Sequence, residues 1–524
     1  MDWGMVGGGA GSLATAMIPI KVIASTVIRF IKLDLIGACA RNINGEVSGM
    51  SRCPFRGGEA RAGSVERLPV PSTRIILPAL TPMKALSSVL LFAAGLYLSP
   101  ALHGEAVKDR EGAVRKDRAA MENDPRWIYN DFERGFAEAK RTGKPLLIVL
   151  RCVPCLSCAG IDAQVLEEAE LAPLLDQFVC VRLINANAID LARFQFDFDL
   201  SFSAMFFNGD GTVYGRYGSW THQKDAYNKT TAGFRRALES AAAIHSGYPG
   251  NKTALTGKQG GPMAFKTPIE IPGLAGKYQR NLDWEGKVVQ SCVHCHQIGD
   301  AMRTTFRDRK EIIPDEWIYP WPMPETIGLA LAPDSVAKIE SVAKGSIAER
   351  AGFREADEIV ALSGQPLISI ADVSWVLHRA PESGTLVAAI RRGGIDKSLT
   401  IELPIDWRRR ADISRRVGTW TMRGMAFGGL VLEDLSDEER ARRQLSTEVL
   451  GLFIKGVGQY GKHATAKKAG FQKEDVLVSI DGWSKRASES ELLGRLLRTR
   501  MPGEQVKATV LRGDQRIELI LPMQ

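Results

Sequence analysis

Between residues 125 and 248 the chain alternates amphipathic stretches with unbroken apolar runs. In DPRWIYNDFERGFAEAKRTGKP, Phe132, Phe136 and Ala139 share one face of a helical repeat. Asn130 or Asp131 can cap its start, Gly143 ends it and Pro145 bars continuation, so the stretch predicts a helix. Residues 146–150, LLIVL, are an apolar run of strand length and predict a buried strand. Residues 163–175 return to a helical period, and 178–184, FVCVRLI, predict a second strand. AMFFNGDGTVYGRYG predicts a hairpin about Asn208-Gly209-Asp210-Gly211, and residues 231–245 a closing amphipathic helix. The order is helix, strand, helix, strand, hairpin, helix, which is an α/β unit.

The C-terminal part repeats itself. GSIAERAGFREADEIVALSGQPL, beginning at Gly345, and KHATAKKAGFQKEDVLVSIDGWS, beginning at Lys462, superpose at a constant offset. Ala351-Gly352-Phe353 aligns with Ala469-Gly470-Phe471, Asp357 with Asp475 and Gly364 with Gly482. Such self-similarity means two copies of one module. Each copy is β-rich with one amphipathic helix, over 372–378 and 491–497, and Ser488-x-x-Glu491 is a capping box at the second. The fold class predicted is multidomain. An α/β domain at 125–248 precedes two β-rich α+β modules at 325–404 and 423–523. Between them, 249–324 reads as a linker with a short helical cysteine segment, and 405–422 as a basic linker.

Composition, with 45% hydrophobic and 24% charged residues among 524, is that of an ordinary globular protein. The net charge of +8 permits contact with anionic surfaces, but acidic and basic residues are interleaved nearly throughout. No nucleic-acid partner is expected. Arg408, Arg409, Arg410, Arg415 and Arg416 are the one local exception. Residues 83–106, MKALSSVLLFAAGLYLSPALHGEA, combine a basic start, an apolar core and small residues suited to cleavage, which predicts a signal peptide and an exported, periplasmic or extracytoplasmic protein. On that reading residues 1–82 are an over-extended start. The rival is a membrane anchor over 16–40, which Lys21, Arg29, Lys32 and Asp34 make costly.

Export bears on the eight cysteines, because an oxidising compartment lets disulfides persist. Cys152, Cys155 and Cys158 follow the first predicted strand at three-residue spacing, a pattern that serves as a redox centre, as metal ligands or as an inert disulfide. Cys180, inside the second strand, is expected to be a buried apolar residue. Cys292-Val-His-Cys295-His296 is the C-x-x-C-H pattern of covalent c-type haem attachment, in which two thiols join the porphyrin and the histidine reaches the iron. Met323 or Met302 would then be the distal ligand. The same residues also suit a small disulfide or thiol relay, or a zinc site using His294 or His296. No metal site is firmly assigned.

The α/β order with C-x-x-C at the end of the first buried strand resembles the thioredoxin superfamily over about 125–248. Counting from Lys144-Pro145, the resemblance implies Cys155 as the attacking thiol, Cys158 as the resolving one and Cys152 as an extra thiol. The superfamily's cis-proline beside the thiols is missing, with Phe202 or Ser203 in its neighbourhood. The two repeats resemble PDZ domains, particularly those that follow the protease domain in the high-temperature-requirement family. The resemblance implies that Ile327, Gly328 and Leu329, and Gly428, Gly429 and Leu430, bind the C-termini of partner proteins. His378 is read as a packing or surface residue. No Gly-x-Ser-x-Gly or Gly-Asn-Ser-Gly-Gly stretch is present, so a protease is not expected. As a whole, residues 83–524 resemble a family of exported thioredoxin-like/PDZ proteins, some with selenocysteine in the thiol motif. This implies a thiol-disulfide oxidoreductase or peroxide-handling protein with a redox partner. The alternatives are a non-enzymatic PDZ adaptor with structural cysteines and a haem electron-transfer protein.

Overall fold

The computed structural model describes residues 109–153, 169–219 and 229–524. Cys155, Cys158, the 83–106 segment and the 16–40 segment lie outside the described residues.

The polar stretch ahead of the first domain is helical. Asp109 caps α1 (Arg110–Met121), its side chain accepting the Gly112 N–H. The next residues depart from the helical reading, because Trp127, Ile128 and Tyr129 form a strand, β1 (Trp127–Tyr129), parallel to β3 (Val179–Leu183). Aromatic and β-branched residues suit a half-buried pleat, and the helix starts only after them. It is α2 (Phe132–Thr142), capped by the Asp131 side chain and ended by Gly143 at φ 70°. With β2 (Leu146–Arg151), β4 (Phe202–Phe207) and β5 (Val213–Tyr217) the sheet order is β1-β3-β2-β4-β5. Strand β2 runs parallel to β3 and antiparallel to β4.

Successive residues of a strand face opposite sides. Leu147, Val149, Cys180 and Phe206 therefore pack on one face with Phe234 and Leu238 of α3 (Lys229–Ser246). Leu146, Ile148, Val181 and Met205 pack on the other face with Phe136. Residues 249–324, expected to be a linker, complete that second face. Ile271, Leu274, Val293 and Ile298 are buried in the same core, together with Ala301 and Met302 of α4 (Cys295–Asp308). An all-apolar strand buried on both faces needs a second cover, and this segment supplies it.

The first repeat holds β6 (Leu329–Leu331) against β7 (Ile339–Val342), and a sheet of order β11-β10-β8-β9. Those strands are β8 (Glu358–Leu362), β9 (Gln365–Pro366), β10 (Gly384–Arg392) and β11 (Ile395–Leu403). Its helix is α5 (Ile370–Arg379). The 405–422 segment is not a loose basic linker. Arg408 is buried and donates to the carbonyls of Leu377, His378 and Ala380 at the end of α5. Arg416 is buried between Asp197 (2.5 Å) and Asp199 (2.9 Å) of the α/β domain. Burial raises the Asp197 carboxyl, opposed by Arg416, whereas Asp199 is held low by Arg416 and Arg303 against the same burial.

After α6 (Thr419–Phe427), the second repeat is one sheet of order β12-β13-β14-β15-β16. Its strands are β12 (Leu430–Asp434), β13 (Leu452–Val457), β14 (Val476–Ile480), β15 (Gln505–Arg512) and β16 (Gln515–Pro522). Its helix is α7 (Glu489–Thr499), opened by the Ser488–Glu491 capping box. Among the described residues no helix is long and apolar enough to cross a membrane.

Candidate thiol site

Strand β2 ends at Arg151, and Cys152 follows as its extension, donating its N–H to the Ser201 carbonyl at 2.9 Å. Cys152 is thus set against the start of β4, where Phe202 pairs with Arg151. The Arg151 guanidinium is fixed at 3.0 Å by Asp117 of α1, which also binds Arg182 and accepts from the Tyr129 hydroxyl. Burial holds the Asp117 carboxyl above its ordinary range, with Arg182 pulling the other way. Helix α1 therefore buttresses the residue next to the first thiol.

The C-x-x-C-H segment reaches the same place. Cys152, Cys292 and Cys295 line one crevice with Arg151 and His294, and the Cys152 sulfur lies 3.1 Å from His294 Nδ1. Two interactions hold the segment there. Asn187, fully buried, donates to the carbonyls of Gln279 and Ser291 and accepts the Val293 N–H at 2.7 Å. The Gln297 side chain accepts the His294 N–H at 2.8 Å, fixing the entry to α4. Cys295 is the first residue of that helix, where unpaired N–H groups and the positive end of the dipole favour a thiolate.

His294 is pushed down to about 4, first by burial and then by the charges of His296 and Arg110. At neutral pH its ring is therefore uncharged, and its Nδ1 is within reach of a hydrogen bond from the Cys152 thiol. Transfer of the proton within the pair adds no net charge to the crevice. Cys180 lies mid-strand and fully buried, its thiol pushed up to about 12 by burial and donating to the Leu175 carbonyl.

The haem set is not assembled here. Met323 lies in the first repeat, packed against its core with its sulfur accepting from the Ser374 hydroxyl, and Met302 is buried in the α/β core. The crevice beside Cys292 and Cys295 has a volume of about 20 Å³, room for a single water. His296 points to Asp300, 3.5 Å away on α4. Among the described residues no group of three or more His, Cys, Asp or Glu side chains is placed to hold a metal ion.

The two glycine loops are tightly built. Gly328, at φ 91°, donates its N–H to Glu325, and an added Cβ would meet the Ser346 side chain at 2.2 Å. Gly429, at φ 92°, donates to the Arg423 carbonyl, and a Cβ there would meet the His463 carbonyl oxygen at 2.1 Å. Ile327 and Leu329, and Leu430 beyond Gly428, are buried. His378 is a packing residue, stacked on Trp321 with ring centroids 5.1 Å apart. Asn187, Gln297, Asp117 and Arg151 carried no motif. The one available signal was polarity next to cysteine-bearing segments, and it does not say which polar residues are buried.

The thioredoxin-like family matches residues 127–209, and the PDZ domain family matches residues 338–392. No curated protein matches the chain. Among solved structures, the HtrA-type protease AlgW with decapeptide is 19% identical, with a TM-score of 0.18, over 26% of this chain and 44% of its own. The same protease with tripeptide is 17% identical at TM-score 0.17, over 26% and 47%. An aminopeptidase N family protein from Idiomarina loihiensis is 21% identical at TM-score 0.13, over 20% and 19%. This chain spans less than half the length of each of them. The chain is a multidomain protein with a thioredoxin-like domain, a fold of redox type, and a PDZ domain, a fold of peptide-binding type.

Proposed function

We propose that this is an exported thiol–disulfide exchange protein whose PDZ modules bring in partner proteins by their C-termini. On this reading Cys155 attacks, Cys158 resolves and Cys152 is a third thiol. A redox partner restores the starting state, and peroxide is a second class of oxidant for the same thiols. The observation that carries the reading is the contact of the Cys152 sulfur with a neutral, buried His294 at 3.1 Å. An adjacent base is one way a thiol is activated as a nucleophile, and an inert staple has no use for one. Peptide recruitment is best supported at β6, which has β7 on one side and, among the described residues, no strand on the other. An extended C-terminus would add there as a strand.

The test is glutathione- or insulin-linked reductase turnover of the full chain. Cys155→Ser is expected to fall to background and Cys152→Ser to lose most of the rate. Unchanged turnover in both variants would leave a non-enzymatic PDZ adaptor in its place. Mass spectrometry of the mature protein reads the N-terminus for export, and it would also reveal any haem adduct.

A further inference from the structure

We propose that Cys292 and Cys295 are a second dithiol that takes over the disulfide carried by Cys152. The proposal deepens the redox reading above and rests on it. Three of the four described cysteines line one crevice of about 20 Å³. The fourth, Cys180, is sequestered in the sheet. Cys295 starts a 14-residue helix, and Cys292 sits three residues earlier, the spacing at which a resolving thiol reaches its neighbour. Asn187 and Gln297 pin the backbone at Val293 and His294, between the two cysteines. His294, the residue between Val293 and Cys295, presents its ring nitrogen to Cys152. The Arg151 guanidinium in the crevice favours any thiolate formed there.

The chemistry closes without a further oxidant. Suppose Cys152 holds a mixed disulfide with a substrate thiol. The Cys295 thiolate attacks the Cys152 sulfur, so a Cys295–Cys152 bond forms and the bond to the substrate breaks. The substrate leaves as a thiolate and takes up the proton that Cys295 gave up. The Cys292 thiolate then attacks Cys295, forming the Cys292–Cys295 disulfide and expelling Cys152. His294 returns to Cys152 the proton that Cys292 surrendered. Two thiols are oxidised to one disulfide, and one mixed disulfide is reduced to two thiols. An external dithiol of the redox partner then reduces Cys292–Cys295.

The test uses the full chain carrying Cys155→Ser and Cys158→Ser, treated with one equivalent of 5,5′-dithiobis(2-nitrobenzoate) and mapped by mass spectrometry. The expected product is a Cys292–Cys295 disulfide with both thionitrobenzoates released. Adding Cys292→Ser is expected to trap a Cys152–Cys295 disulfide. Separate, stable adducts on Cys152 and Cys295 in that variant would overturn the relay while leaving the redox reading intact. A Cys152 that takes up no reagent would overturn the relay as well, while reductase turnover of the chain with Cys155 and Cys158 intact tests the redox reading separately. As a measurement free of substitutions, the unmodified chain equilibrated with glutathione disulfide should also yield Cys292–Cys295, and free alkylation of both cysteines there would count against the relay.

Discussion

The two C-terminal repeats share a skeleton and differ in what the start of the long helix does. In both, a buried aspartate ties the glycine turn to the last hairpin. Asp357 pairs with Arg392 at 2.7 Å and Asp475 with Arg512 at 2.7 Å, and the same arginines donate to the Gly352 and Gly470 carbonyls. Both helices begin after a serine cap, Ser369 and Ser488. In the first repeat that cap faces the thioredoxin-like domain. The Ser369 hydroxyl donates to the Arg216 carbonyl at 2.6 Å, and Asp372 binds the Lys258 ammonium at 2.6 Å and the Arg216 N–H. The Arg216 guanidinium lies 3.8 Å over the Trp375 ring. In the second repeat the residue after the cap is Glu489, where the first has Ile370. Its carboxylate accepts the Leu432 N–H of the edge strand β12 at 3.0 Å and is paired with Arg423 of α6. One repeat uses its helix start to dock on the thioredoxin-like domain, and the other uses it to occupy its own strand edge. Two copies of one module thus differ at the strand after the glycine loop: among the described residues β6 has no strand on one side, and at the edge strand β12 the Leu432 N–H is taken by Glu489.

The largest effect in this comparison is expected at the docking contact. Asp372→Ala leaves the fully buried Lys258 ammonium without its partner, which costs about 3–5 kcal/mol. Burial already depresses that ammonium despite Asp372. Denaturant unfolding followed by tryptophan fluorescence should show an early loss of docking, while the second repeat unfolds as before. Replacing both partners by Lys258→Met and Asp372→Leu should recover only the part due to the lysine, because the buried Arg216 guanidinium and the Arg216 and Ile368 N–H groups still lose Asp372.

Opening the second repeat is the next largest. Glu489→Ala removes charged hydrogen bonds to Arg423 and Leu432 and should cost about 2 kcal/mol. It also frees the Leu432 N–H, so this variant should gain binding of C-terminal peptides in a titration of the full chain. The same substitution at the matched position, Ile370→Ala, should open no new edge. Smallest are the shared aspartates. Asp357→Asn and Asp475→Asn should each cost about 1 kcal/mol, and equally, because the hydrogen-bond sets match. Unequal losses would break the claim that the repeats share a skeleton.

Much of this was legible in the residues. The capped helix at Asp131–Gly143, the apolar run at Leu146 and the aligned Gly352/Gly470 and Asp357/Asp475 follow from local pattern, because caps, periodicity and positive-φ glycines act over a few residues. The partners of those aspartates, Arg392 and Arg512, were not marked, since their roles depend on hairpin geometry. The 249–324 segment reads as a linker because its Gly, Lys and Pro content is that of a loop. Its burial is decided by an α/β sheet that needs a second cover, a tertiary fact. The joining of Cys152 to the CVHCH segment was illegible for the same reason. Both motifs stand out, but only the buried Asn187, far from either in sequence, places them together.

The central claim is that His294 and Cys152 act as one unit, and alkylation kinetics test it most directly. The full chain carrying Cys155→Ser and Cys158→Ser would be treated with iodoacetamide across pH, with and without His294→Gln, following Cys152 by peptide mass. The account predicts that His294→Gln slows Cys152 about fivefold near neutrality. The difference should widen as pH falls below neutrality, where an unassisted thiol is almost wholly protonated and only one that can pass its proton to His294 still reacts. Equal rates at every pH would contradict it.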